Sequence, residues 1–291
     1  MIKSIQMILR YLFYYFMSLF VGNRYIFIKA WVEVEQGVCT HRNWGDELNE
    51  HIIIYLTNKK AVILPHCRLD HILRIDSYLC IGSILTIFDL NHTIVWGAGV
   101  INHNAVEELR GTPVKICAVR GPKTKYELEK KGIKCPEIYG DPALLMPRFY
   151  QPSIRKHYSM GIIPHWGDMC KENVKRLMSD PRVKLIKAQG YETWTDFIDE
   201  ICSCDFIISS SLHGLIIAEA YGIPSQWVEF GSYDDGWEFK YHDFYESIGK
   251  MNEEPLYIDN QTSYEILMDK KKEWKKGSID LDQLMAACPI R

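Results

Sequence analysis

The sequence predicts an α/β protein with two Rossmann-like lobes facing a central cleft. Three observations lead there. Short apolar runs alternate with stretches of helical pattern along most of the chain, the order that builds parallel sheets with helices on their faces. The runs end in polar or glycine-rich turns, which in such sheets gather at strand ends and hold ligands. A proline-marked stretch at 146–157, with Pro147 and Pro152, divides the alternation into two series.

Residues 1–24 stand apart. Residues 5–21 are apolar and aromatic but interrupted by Arg10. The uncharged remainder, 11–21, falls short of the roughly 20 apolar residues that a spanning helix needs, and no small-residue cleavage signal follows it. A helix lying on a membrane, in a dimer contact or on the body of the protein fits better. Lys3, Arg10 and Arg24 suit anionic headgroups. The expected location is cytoplasmic, at the inner face of the cell membrane if this segment touches lipid.

The first lobe is expected over 25–147. Residues 25–34 read as a strand and 37–42 as a turn. Asn43, Trp44, Gly45 and Asp46 then introduce a helix over 48–56, with Asp46 as its cap and Gly45 allowing backbone to approach a ligand. Residues 61–64 form a short strand. His66 and His71 are five apart, a poor spacing for one helix face, and no metal is assigned to them. The runs at 78–85 and 93–100 end in glycine steps that lack the full dinucleotide fingerprint. After a strand at 114–119, Arg120 sits beside the start of a helix at 123–131. There it suits a carboxylate or phosphate clamp, or a surface salt bridge. A short strand at 137–139 closes on Asp141, which is either structural or cleft-facing.

The second lobe, 158–250, repeats the pattern, with strands at 159–163, 183–186, 206–208 and 225–230. Helices are expected at 172–178, 193–203 and 215–221. His165 follows the first of these strands. The centre of this lobe is 205–225, DFIISSSLHGLIIAEAYGIPS: a strand, three serines, His213, Gly214, and a helix stopped by Gly222 and Pro224. A helix start carries unpaired N–H groups that suit an anion, and histidine titrates where acid–base chemistry needs it. The alternative is a capped helix with a buried histidine. The acidic, aromatic segment 231–245, with Tyr233, Trp237, Phe239 and His242, faces a sugar or forms a hydrophobic clasp. Residues 251–291 form a helical tail whose one clear helix, 264–276, has a solvated basic side.

Composition bounds the function. The 291 residues are 47% apolar and 24% charged, ample for a core. The net charge of −3 gives no case for a nucleic-acid partner. Nine cysteines include no CxxC pair, and the odd count points to free thiols in a reducing compartment.

Several motifs, taken together and in order, resemble the polysaccharide pyruvyl transferase family. They are NWGDELN from Asn43, YLCIGSI from Tyr78, VWGAG from Val95, VRG from Val119, YGDP from Tyr139, SSSLHG from Ser209 and EAYGIP from Glu219. The resemblance covers roughly residues 25–250. It implies a GT-B-like pair of lobes and transfer of the enolpyruvyl group of phosphoenolpyruvate onto two hydroxyls of a sugar. The acceptor would be a surface polysaccharide or its lipid-linked precursor, and the product a cyclic pyruvate ketal. Phosphoenolpyruvate is then a co-substrate, with no cofactor and no metal.

That chemistry needs a general acid, a base and a cationic grip on two anions. His213 is expected to transfer the proton, with Asp46 and Asp141 activating or orienting hydroxyls. Arg120, His165 and the turn Ser210, Ser211, Leu212 and Gly214 would bind the donor. Asn43, Trp44, Glu219 and Trp237 would bind the acceptor. Some relatives have arginine where this chain has Ser211, a lost cation that Lys187 or His165 would replace. The competing readings are a nucleotide-sugar-dependent glycosyltransferase, in which Glu219 holds a ribose, and a catalytically inactive carbohydrate-binding protein.

Overall fold

The computed structural model describes residues 2–21, 24–35, 38–41, 43–64 and 74–290. Helix α1 (Ile2–Val21) precedes strand β1 (Tyr25–Ile28) and a hairpin of β2 (Glu33–Glu35) and β3 (Val38–His41). Helix α2 (Trp44–Thr57), strands β4 (Lys60–Ile63), β5 (Ser77–Leu79), β6 (Thr93–Trp96) and β7 (Lys115–Ala118), and helix α3 (Pro122–Lys130) complete the first series. A 3₁₀ segment, Pro142–Arg148, leads into the second. There β8 (Met160–Ile163), α4 (Glu172–Met178), β9 (Val183–Leu185), α5 (Trp194–Cys202), β10 (Ile207–Ser209), α6 (Leu212–Ala220) and β11 (Ser225–Glu229) alternate. Helix α7 (Phe239–Ser247), strand β12 (Leu256–Tyr257), helix α8 (Tyr264–Glu273) and helix α9 (Leu281–Ala286) follow.

The result is a mixed α/β fold with two five-stranded parallel sheets, ordered β4-β1-β5-β6-β7 and β12-β11-β10-β8-β9. The two orders are the same topology. In each, the first strand lies between the second and the third, and the strand order reverses there. Such a reversal opens a crevice at the carboxyl ends of the strands. The two crevices lie at β1/β5 and at β8/β10. Helices cover the sheets, so the strands are apolar on both faces; every residue of β8 and β10 is buried.

Several boundaries differ from the sequence expectation. The strand predicted over 25–34 ends at Ile28, because Lys29 turns inward and donates to the Asp89 carbonyl and to Thr93 Oγ1 at 2.6 and 2.7 Å. A hairpin replaces the turn expected near 37–42. The strand expected at 137–139 shrinks to one bridge, Val119 to Tyr139, before Gly140 turns at φ +126°. The N-cap of α2 is Asn43; Asp46 lies in the helix's first turn, where its carboxyl favours the positive helix end. His66 and His71 fall outside the described residues.

Later elements return to the first sheet. Helix α7 packs on α3, and α9 packs on the 3₁₀ segment. Trp96 donates its indole N–H to the Leu284 carbonyl at 2.9 Å. Trp44 of α2 donates to the Trp194 carbonyl at 2.6 Å and lies 4.7 Å from Phe197 of α5. One apolar cluster therefore runs from Ile28 through Trp44 and Phe197 to Leu284. No described helix is long and apolar enough to cross a membrane. Helix α1 leaves Leu9, Phe13, Phe16 and Leu19 exposed.

Candidate active site

The turns at both crevices supply one cluster of polar groups. On the second sheet, Ser209 Oγ accepts the Ser211 N–H at 3.0 Å and lies 3.0 Å from the Ile163 carbonyl. This ties the end of β10 to β8. Ser211 is the N-cap of α6 with extended backbone. Gly214 lets the helix start this close: a Cβ there would come within 2.5 Å of Ser209 Oγ.

His213 lies in the first turn of α6 and packs against backbone from the other lobe. A Cβ at Gly45 would stand 2.0 Å from its Nδ1. The ring keeps some accessible surface, but Nε2 is shielded and has no hydrogen-bond partner. Burial, then Arg120 and Lys240, lower its pKa to about 3. The imidazole is therefore neutral near pH 7, a donor–acceptor group and not a resident acid. Gly45→Ala is expected to displace the ring and lower turnover by about 100-fold. Steady-state kinetics beside a thermal melt check this; an unchanged rate would show that the ring's seat on Gly45 is dispensable.

Two buried carboxyls come from the first lobe. Asp141 caps the 3₁₀ segment, its Oδ1 accepting the Ala143 N–H at 2.9 Å, while Oδ2 has no partner. Asp46 follows Gly45 directly and approaches Gly82, at the carboxyl end of β5. Burial and the Asp141 charge raise Asp46 to about 8. Burial raises Asp141 to about 7, against the pull of the Ala143 N–H and Arg120. Both carboxyls therefore favour the protonated form near neutral pH more than a free aspartate does.

Arg120 is fully buried and already engaged. Its guanidinium donates to Asp243 Oδ2 at 2.9 Å, to the Val100 carbonyl at 2.6 Å and to Ser83 Oγ. Gly99 makes room for it, since a Cβ there would stand 2.3 Å from Cζ. Asp243 also accepts from the Thr124 N–H and hydroxyl at 2.8 and 2.6 Å. Neither sequence alternative, an open clamp or a surface salt bridge, describes this arginine. It is an internal charge that joins α7 to the first lobe.

Asp168 organises the other wall. It accepts from Ser210 Oγ and Tyr233 OH, each at 2.6 Å, and pairs with Lys171 at 2.8 Å. Ser210 Oγ in turn accepts the His165 N–H at 2.9 Å. Tyr233 stacks on Trp237 with centroids 4.9 Å apart, and Trp237 meets the His165 ring edge-on at 4.9 Å. Burial and Lys240 lower His165 to about 4. Gly236 approaches Asn102 and His103 of the first lobe, so residues 231–238 strap the two lobes together.

His213, Asp46, Asp141, Arg120, His165, Ser210, Ser211 and Trp237 thus share one region. Other expected site residues lie elsewhere or serve the fold. Glu219 is 4% exposed; it pairs with Lys250 at 2.7 Å and accepts the Gly277 N–H at 2.6 Å. It sits in the last turn of α6, away from His213. Trp44 staples the lobes, Asn43 begins α2, and Leu212 and Gly214 pack α6 onto the sheet. Lys187 is exposed and lines a different pocket of about 550 Å³ with Tyr191 and Asp196. Sequence reasoning missed Asp168, Asp243, Ser83 and Lys240. Lys240 and Asp243 had a signal in the acidic, aromatic 231–245 stretch, and Ser83 in the YLCIGSI motif.

The motifs that build both walls fall inside one family match. The model described as polysaccharide pyruvyl transferase matches residues 40–230. This chain belongs to the polysaccharide pyruvyl transferase family. Among curated proteins, it is 30% identical to uncharacterized protein L143 of Acanthamoeba polyphaga mimivirus, over 71% of each chain. It is 24% identical to succinoglycan biosynthesis protein ExoV of Rhizobium meliloti (strain 1021), over 80% of this chain and 70% of that one. The family match supports a pyruvyl-transferase-type activity on polysaccharide material. In this chain, α7, with Lys240 and Asp243, lies past the end of the matched span.

Proposed function

We propose that the protein transfers the enolpyruvyl group of phosphoenolpyruvate to two hydroxyls of a sugar, forming a cyclic pyruvate ketal and releasing phosphate. The acceptor is a saccharide of a surface polysaccharide or its lipid-linked precursor. The observation that carries this reading is the family match over residues 40–230, together with the seat of His213 of the second lobe on Gly45, next to Asp46, of the first; burial favours a proton on the Asp46 and Asp141 carboxyls and a neutral His213 imidazole. Environments that separate pKa values in this way assign acid and base.

In this reading the Asp46–Asp141 pair donates its proton to the methylene carbon of the donor. Positive character develops at the neighbouring carbon, and a sugar hydroxyl attacks it. Neutral His213 takes that hydroxyl's proton through Nε2, which has no other partner. The carbon–oxygen bond to phosphate then breaks, phosphate leaves with its electron pair and takes the proton from His213, and the second hydroxyl closes the ring and returns its proton to the carboxylate pair. Arg120 acts as a fixed positive charge. Acid work thereby moves to the carboxyl pair and base work to the histidine, the reverse of the sequence expectation for His213. The two doubly wound sheets and the lobe-crossing C-terminal elements support a GT-B-like arrangement.

The engagement of Glu219 by Lys250 and Gly277 disfavours the nucleotide-sugar alternative, which needs that carboxylate free for a ribose. The deciding experiment is phosphate release from phosphoenolpyruvate with and without a lipid-linked saccharide acceptor. Acceptor-dependent release is expected, and it should fall as pH rises through about 7 to 8, where the carboxyl pair loses its proton. Binding of a uridine or guanosine diphosphate without any phosphate release would reverse the assignment.

A further inference from the structure

We infer that Lys240, with Trp237 Nε1, forms an anion subsite on the second-lobe wall that takes a carboxylate or phosphate group. The identity of that ligand as one end of phosphoenolpyruvate rests on the function proposed above; the subsite itself rests on unmet donors. Lys240 opens α7 one residue after Phe239 and is 7% exposed. Its Nζ lies 3.4 Å from the Trp237 ring centroid and 5.2 Å from that of Tyr241. Among the described residues it has no carboxylate partner and no hydrogen bond. A buried ammonium without a partner is costly once desolvated. A cation–π contact returns only part of that.

The neighbouring carboxylates do not fill the gap. Asp168 is taken by Lys171, Ser210 and Tyr233. Glu229 is 4% exposed and makes no ion pair with Lys240, and burial raises it to about 7. Meanwhile a further nitrogen beside Lys240 is shielded and unpartnered: Nε1 of Trp237, which can only donate. Repulsion from Lys240 helps to lower both His165 and His213, and burial, with Arg120, lowers Lys240 itself to about 7. This wall therefore offers donors and positive charge in excess, and an anionic oxygen group supplies what is missing. Ser211 leaves the turn before α6 without a cation of its own; Lys240 brings one from α7.

The test compares wild type with Lys240→Met and Lys240→Arg. Calorimetry with phosphoenolpyruvate, inorganic phosphate and pyruvate as separate probes, a thermal melt and steady-state kinetics are run on each. Lys240→Met is expected to weaken phosphoenolpyruvate binding by about 10- to 100-fold. One of the two smaller probes should lose binding by a similar factor, which identifies the end that is held. Lys240→Arg should keep most of the binding. The melting temperature of Lys240→Met should not fall, because an unpaired buried charge has been removed. Unchanged binding of all three probes, or a wild type that binds none of them, overturns the subsite. A lower melting temperature with intact binding also overturns it, marking Lys240 as a packing partner of Trp237. The two readings fail separately. Wild-type turnover that Lys240→Met leaves intact sinks the subsite alone. Lysine-dependent binding of phosphate or pyruvate without any transfer sinks the proposed reaction alone.

Discussion

His213→Ala is expected to lower turnover by about 10²- to 10⁴-fold, the usual worth of a positioned acid–base group, while the protein still folds. The imidazole is the natural place for such a loss. It bridges the lobes through its seat on Gly45, and its free Nε2 does no structural work. Removing a neutral ring leaves no orphaned charge, so the stability cost should stay near the ordinary ~1 kcal/mol of a point substitution. His213→Asn separates packing from proton transfer. It fills much of the same space and retains hydrogen bonding but offers no basic nitrogen to a reacting hydroxyl. If the His213→Asn variant released phosphate at the wild-type rate, the imidazole would be a spacer and the base would lie elsewhere.

Asp243→Ala is expected to destabilise the protein by about 3–5 kcal/mol, the cost of leaving a buried charge uncompensated. Arg120 and Asp243 are both fully inaccessible, so water cannot replace the lost carboxylate. The Thr124 N–H and hydroxyl would lose their acceptor in the same step. The α7 backbone also presses on Gly121, where a Cβ would lie 1.9 Å from the Asp243 carbonyl oxygen, so the helix has little room to resettle. A urea titration followed by tryptophan fluorescence measures the change. The paired replacement Arg120→Met with Asp243→Leu should recover much of it, because the desolvation cost goes with the charges. A single Asp243→Ala variant within about 0.5 kcal/mol of wild type would show that water or another group reaches Arg120. Because α7 also carries Lys240, the loosened variant should bind phosphoenolpyruvate more weakly.

Local pattern carried the fold a long way. Residues 206–208, 225–230 and 172–178 read correctly as strand, strand and helix because an apolar run or a helical repeat is a short-range property. It failed where distant contacts decide. β12 is two residues long and exists only because β11 offers it an edge. α9 is short and finds its partner in the 3₁₀ segment more than a hundred residues earlier. Lys29 breaks the first strand for acceptors at Asp89 and Thr93.

The site divides in the same way. Chemical type is written in the chain: a histidine after three serines, an aspartate after Asn-Trp-Gly, an arginine at a strand end and the family motifs that link them. The sequence by itself determined those groups and the turns that carry them, since both depend on neighbours a few residues away. Only the tertiary structure decided their electrical state and their freedom. Burial next to Asp141 keeps a proton on Asp46, and burial beside two cations strips one from His213. Asp243, 123 residues further along the chain, occupies Arg120. Lys240 is left without an ion pair among the described residues because Asp168 is taken by Lys171, Ser210 and Tyr233. Desolvation and Coulomb energy depend on what surrounds a group in space, and the linear chain does not state those distances.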